Sequence, residues 1–283
     1  MPPANEQPAD PRAATTRILR WKQGALGQPA DDSLAREEPL EIRVKGESVA
    51  VTMRTPGHDE ELALGFLLSE GVIAGGGDVL EVAPCQQGEA ALHGNVLNVF
   101  LAPKVEIDLA KLRRNVYASS SCGLCGKASI ESVHGHFEPL AKREPLITAE
   151  TLLQLPDKLR AEQETFDKTG GLHAAGLFDA EGNLLTLRED VGRHNAVDKA
   201  LGRLMLDGDF PLDHRVLMVS GRASFEIMQK ALAGRVPVIC AVSAPSSLAV
   251  EFAQESGQTL VGFLRGDTFN GYSHPERITG LSD

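Results

Sequence analysis

The chain has 283 residues, 42% hydrophobic and 24% charged, which supplies apolar material for one large or two ordinary buried cores. A formal net charge of −11 opposes general binding to nucleic acid or to an anionic membrane surface, because like charges repel. There is no apolar run of about 18 residues to span a bilayer, no signal-peptide-like start and no disulfide scaffold in four cysteines, so a reducing, cytoplasmic location is expected.

Residues 1–16 are rich in Pro, Ala and polar side chains and predict a disordered tail. Glu38 to Val44 alternates apolar and polar residues, turns at Gly46 and alternates again from Ser48 to Arg54, the pattern of a β-hairpin. Pro56-Gly57-His58-Asp59 reads as a turn with a helix cap, and Glu60 to Glu70 has helical apolar spacing. After the flexible Gly75-Gly76-Gly77, short strands are predicted at Val79 to Val82 and Val96 to Leu101. Leu109 to Val116 predicts a helix running into the polar Ala118-Ser119-Ser120-Ser121. Ala149 to Gln163 predicts another.

From there the rhythm is regular. Strands are expected at Leu172 to Phe178, Leu184 to Leu187, Val216 to Val219, Val236 to Val242 and Thr259 to Leu264. Helices are expected at Asn195 to Met205, Phe225 to Leu232 and Leu248 to Gln254. Strands alternating with helices of this length imply crossover units and a partly parallel sheet covered by helices. The expected class is therefore α/β, with residues 146–283 forming the layered domain and residues 17–145 a smaller α+β domain that ends in a cysteine loop.

That loop is Cys122-Gly123-Leu124-Cys125. Two thiols at this spacing form a disulfide, share a metal, or let one thiol attack a persulfide on the other. A structural zinc site needs two more ligands, and no second Cys-x-x-Cys follows; His134 and His136 leave a two-Cys, two-His site open. The Ser/Gly surroundings favour reactive thiols over a packed zinc knuckle. A thiol-disulfide oxidoreductase is disfavoured because the pair does not sit in a thioredoxin-like strand-then-helix context.

His173, in Gly170-Gly171-Leu172-His173-Ala174-Ala175, is either a satisfied core histidine or a pocket residue. A zinc deaminase would carry His-x-Glu here with a later Pro-Cys-x-x-Cys; Ala175 replaces the Glu and no cysteine pair follows. Arg188-Glu189-Asp190-Val191-Gly192-Arg193-His194-Asn195 lies between a strand end and a helix start, where backbone donors favour anions and arginines strengthen the site. Ser220-Gly221-Arg222-Ala223-Ser224 repeats the arrangement, and Ala244-Pro245-Ser246-Ser247 does so without the Arg. Three such turns at one sheet edge would line a crevice for a phosphate-bearing ligand. Arg265 follows the last strand, as part of that crevice or as a solvated turn.

These segments together resemble the FdhD family, the accessory sulfurtransferases required for formate dehydrogenase activity. The resemblance runs from Glu38-Pro39-Leu40-Glu41 to His274-Pro275-Glu276-Arg277. It is carried by Met53-Arg54-Thr55-Pro56-Gly57-His58-Asp59-Glu60, by Ser120-Ser121-Cys122-Gly123-Leu124-Cys125-Gly126-Lys127, by the glycine-His block at 170–175, by Asp190 to Lys199 and by Ser220-Gly221-Arg222. It implies a sulfur carrier that takes sulfur from a cysteine desulfurase as a persulfide. The sulfur passes to the molybdenum of the bis-molybdopterin guanine dinucleotide cofactor, a bound substrate, before that cofactor enters formate dehydrogenase. It also implies Cys122 as persulfide carrier with Cys125 as its partner, a homodimer, and a cytidine-deaminase-like fold for the large domain. Cofactor binding is implied at Phe263, Leu264, Arg265, Gly266, Asp267 and Thr268, beside the turn residues Arg193, His194 and Arg222 and the strand residue His173. No intrinsic metal is implied. The alternative is a zinc-stabilised protein that chaperones the apo-enzyme or its cofactor without sulfur chemistry.

Overall fold

The computed structural model describes residues 10–86, 94–108, 137–141 and 144–280. The first element is an antiparallel hairpin of β1 (Ala13–Lys22) and β2 (Ala25–Ala35), turning through Gln23 and Gly24 at positive φ. β1 thus begins inside the stretch expected to be a tail. The stretch hides its strand because Ala13 to Thr16 are only partly buried or exposed, so no apolar alternation is required of them.

The hairpin expected at residue 38 is present as β3 (Glu38–Val44) and β4 (Glu47–Arg54), joined at Lys45-Gly46, both at positive φ. α1 (Asp59–Ser69) follows a left-handed His58, and Asp59, Glu60 and Glu61 in its first turn suit the positive end of the helix dipole. β5 (Val79–Pro84) and β6 (Val96–Leu101) complete a four-stranded sheet of order β4-β3-β6-β5. Leu40, Ile42 and Val99 of this sheet bury against Leu62, Leu67 and Leu68 of α1. The helix expected at 109–116 lies outside the described residues.

β7 (Ile147–Thr148) leads into α2 (Ala149–Ala161), capped by the Thr148 side chain, and then α3 (Glu164–Thr169). β8 (His173–Phe178), β9 (Leu184–Asp190), α4 (Arg193–Leu206), β10 (Val216–Val219), α5 (Phe225–Ala233), β11 (Val238–Ala241), α6 (Ser247–Ser256) and β12 (Thr259–Arg265) follow the expected alternation. β13 (Thr268–Ser273) pairs antiparallel with β12, and β14 (Ile278–Thr279) pairs with β7. The six-stranded sheet has the order β13-β12-β11-β10-β8-β9, with β10, β11 and β12 parallel.

All four residues of β10 are buried because both sheet faces are covered. Leu217 and Val219 pack beneath α4, α5 and α6, while Val216 and Met218 join Leu152, Leu155 and Leu159 of α2 on the other side. α1 joins the two sheets by lying directly on α4. A Cβ added at Gly65 would stand 1.9 Å from the Asp198 carbonyl oxygen, and one at Gly202 would stand 2.0 Å from that of Glu61. Glycine at both positions is what lets the two helix backbones touch. Across this contact, buried Asp198 takes Lys230 Nζ at 2.9 and 2.7 Å and Ser69 Oγ at 2.7 Å.

Candidate functional site

β9, β10, β11 and β12 end at one edge of the six-stranded sheet, the edge at which β8 begins. Three strand-to-helix turns therefore lie side by side there. Backbone bonds zip them together: Ser243 N donates to Gly221 O at 3.4 Å, Ser246 N to Ala223 O at 3.0 Å, and Phe263 N to Ser243 O at 3.2 Å. Ser220 ties the second turn to β8, its N donating to Ala174 O at 3.0 Å and its Oγ accepting from Ala174 N at 2.9 Å.

The first turn is held by a buried polar node. Asp190, at 0% side-chain exposure, accepts from Lys199 Nζ at 2.7 Å, Thr55 N at 3.0 Å, Gly192 N at 2.8 Å and Asn195 Nδ2 at 3.0 Å. Lys199 also donates to Thr55 O at 2.8 Å, and Asn195 to Met53 O at 2.8 Å. The strand end at Met53 to Thr55 is thereby locked onto the turn that carries Arg193 and His194. These node residues fall in blocks the sequence already marked, but the marking gave no hint that they bond to one another.

Above the node, the His194 Nε2 faces the Glu226 carboxylate at 2.6 Å and Ser224 Oγ at 3.5 Å, which joins the first and second turns. His173 lies half-buried against the second turn; a Cβ at Gly221 would be 3.4 Å from its Nδ1. Burial, and then the nearby Arg193 and His194, push the His173 imidazole below its ordinary value, with Asp190 opposing. Arg193 Nε and Glu226 Oε1 are both buried and have no hydrogen-bond partner among the described residues. Glu226 was not among the sequence candidates; its position in the first turn of α5, two residues past Ser224, is the signal that would have found it.

The structure thus brings together His173, Arg193, His194 and the turn carrying the exposed Arg222. The 263–268 segment divides. Phe263 sits at the third turn with φ +52°, a left-handed conformation uncommon for an aromatic residue. Leu264 is fully buried in the core under α2, a packing residue rather than a crevice-lining one. Arg265, Gly266, Asp267 and Thr268 form the exposed β12–β13 turn, with the Arg265 guanidinium 5.8 Å from the Phe263 ring centre. Cys122, Cys125, His134 and His136 lie outside the described residues. Among the described residues no group of three or more His, Cys, Asp or Glu is arranged to hold a metal ion, and no helix is long and apolar enough to cross a membrane.

A model of the FdhD/NarQ family matches residues 35–279. The chain belongs to that family. It is 52% identical over 268 residues to the sulfur carrier protein FdhD of Streptomyces coelicolor, covering 93% of this chain and 94% of that one. It is 53% identical over 255 residues to the FdhD of Mycobacterium tuberculosis, covering 88% and 92%, and 44% identical over 251 residues to that of Sulfurisphaera tokodaii, again covering 88% and 92%. Among solved structures, a formate dehydrogenase accessory protein from Desulfotalea psychrophila matches with a TM-score of 0.76 at 26% identity, covering 95% of this chain and 100% of that one.

Proposed function

We propose that this chain is a cytoplasmic sulfur carrier and sulfurtransferase that serves formate dehydrogenase as a homodimer. Cys122 takes sulfur from a cysteine desulfurase as a persulfide, and the acceptor is the molybdenum of a bis-molybdopterin guanine dinucleotide, bound as substrate. The observation that carries the reading is the convergence of three helix-starting turns, with Arg193, His194, His173 and Arg222, on one sheet edge. Helix N-termini and guanidinium groups both favour phosphate oxygens, and a dinucleotide cofactor is rich in them. Phe263 and the Arg265-bearing turn stand at the end of the same row. The strand order, an antiparallel β8–β9 pair followed by parallel β10, β11 and β12, supports reading the large sheet as cytidine-deaminase-like.

In the relay, the terminal sulfur of the Cys122 persulfide is the transferred atom. The Cys125 thiolate then attacks the inner sulfur, the S–S bond to the terminal sulfur breaks, and a Cys122–Cys125 disulfide forms as sulfide leaves toward the metal. A dithiol reductant restores the pair. The role of Cys122 rather than Cys125 as carrier rests on the family resemblance.

Intact mass measurement after incubation with a cysteine desulfurase and cysteine tests the reading. Wild type and Cys125→Ala gain about 32 Da, one sulfur, and Cys122→Ala gains nothing. Arg193→Gln with Arg222→Gln keeps the adduct but fails to support formate dehydrogenase. An adduct and full support persisting in Cys122→Ala, or one zinc bound per chain and lost on replacing Cys125, defeats the proposal.

A further inference from the structure

The β1–β2 hairpin is an arm. Its strands have ten and eleven residues, about 30 Å at roughly 3.3 Å per residue. Its base is fixed: Arg36 N donates to Arg12 O at 2.8 Å, Lys168 Nζ meets Asp10 at 3.3 Å, and Ala35 packs against Gly171. From Leu19 to Pro29 every residue is exposed.

The register decides what this outer half presents. Leu19 pairs with Pro29 and Trp21 with Leu26, and the irregularity between them leaves Leu19 and Trp21 two residues apart on β1. All four side chains therefore share one face. Leu19, Trp21 and Leu26 are 60, 67 and 62% exposed. A two-stranded hairpin is marginally stable in water without a third layer. An arm bearing a Trp/Leu face therefore has to be covered whenever the chain is folded, which a transient partner does not provide and a second copy does.

The same chain carries a complementary surface. Between α1, β5 and the end of α4 lies a groove of about 570 Å³, floored by Val82, Met205 and Phe210 and rimmed by Leu80, Glu60 and Glu81. The arm from Arg17 to Leu26 contains Arg17, Arg20 and Lys22 and no carboxylate, on a chain of net charge −11. Arg20 leans on Asp32 across the arm at 3.7 Å, while both partners stay solvated.

We propose that the Trp21 face of each arm seats in the Leu80–Phe210 groove of a second copy of this chain, basic arm tip against acidic rim. The proposal rests on the two-copy assembly of the reading above and not on its sulfur chemistry.

Sedimentation equilibrium of the full chain tests it. Wild type runs as two copies. W21S/L26S and, separately, L80E each associate roughly thirtyfold or more weakly, the scale of losing an interface anchor. Mixing the two variants recovers association in part, because the heterodimer restores one of the two contacts, the intact arm of the L80E copy in the intact groove of the W21S/L26S copy. Both sites are exposed, and far-UV circular dichroism verifies that the variants are folded. A wild-type monomer overturns both this interface and the two-copy assembly. Undiminished association of either variant, or no recovery on mixing, overturns the arm-and-groove interface and leaves a homodimer standing. The Cys122 mass adduct, measured on the same samples, separates either failure from failure of the sulfur reading.

Discussion

Replacing Lys199 with Met removes one charge from a pair that is almost wholly out of water, with side-chain exposures of 1% for Lys199 and 0% for Asp190. Asp190 keeps three of its four donors, Thr55 N, Gly192 N and Asn195 Nδ2, but they are neutral dipoles. The Thr55 carbonyl loses the Lys199 donor. Breaking one side of a buried pair costs about 3–5 kcal/mol, because the remaining charge is left uncompensated. At about 2–4 °C per kcal/mol for a chain of this size, the melting temperature falls by about 6–20 °C. Asp190→Asn combined with Lys199→Met removes both charges and is expected to cost less than the sum of the single replacements. The full cycle is measured by reversible thermal or urea unfolding. A loss below about 1 kcal/mol in Lys199→Met, or strict additivity in the double variant, refutes the view that this pair fastens the first turn.

Gly65→Ala and Gly202→Ala each drive a methyl into backbone oxygen across α1 and α4, and each is expected to cost at least the ~1–3 kcal/mol of ordinary overpacking. Unfolding curves check this, and a neutral Gly202→Ala would mean that the two helices are free to part. Acid stability tests Glu61. Burial works to raise its carboxyl, but hydrogen bonds from Arg188 and His58 outweigh burial and hold it at about 2. Its contribution is therefore complete above the ordinary carboxylate range and is lost as pH falls from there through about 2. Glu61→Gln should flatten the acid limb of the stability curve, and an unchanged limb contradicts the assignment.

The layered half of the fold is legible because its strands are covered on both faces. Val216 to Val219 reads as an uninterrupted apolar run and forms β10 with the same bounds. β13 is not legible: Thr268-Phe269-Asn270-Gly271-Tyr272-Ser273 sits at a sheet edge, half solvated, and has neither an apolar run nor clean alternation. The outer arm is silent for the same reason. Each strand-to-helix turn announces itself locally through Gly, Ser and Arg, but their convergence depends on the strand order, a long-range property that no local pattern encodes. Leu264 shows the converse error. A block identified by resemblance mixes Leu264, which is buried in the core, with Phe263 and Arg265, which are not, at an irregularity of the β12–β13 ladder. The Gly65–Gly202 contact is likewise invisible in the chain, where each glycine merely weakens its own helix.

What separates these converging turns from a set of ordinary capped helices is their unfinished hydrogen bonding. A buried donor or acceptor left open costs about 1–3 kcal/mol, so folded proteins satisfy nearly all of them. Here the Arg193 Nε and the Glu226 Oε1 have no partner among the described residues, on adjacent turns that His194 joins, while Glu226 Oε2 is engaged with that same His194. Elsewhere on the same turns satisfaction is thorough: Asp190 accepts four bonds, and Ser220 both donates and accepts across to β8. Among the described residues this edge closes its structural bonds and leaves one guanidinium donor and one carboxylate acceptor open, a pair that a guest offering both an acceptor and a donor would complete. A phosphate alone would answer Arg193 and be repelled by Glu226. On the proposed cofactor-binding reading, the bound dinucleotide would therefore have to offer, beside its phosphates, a polar group with hydrogens to give.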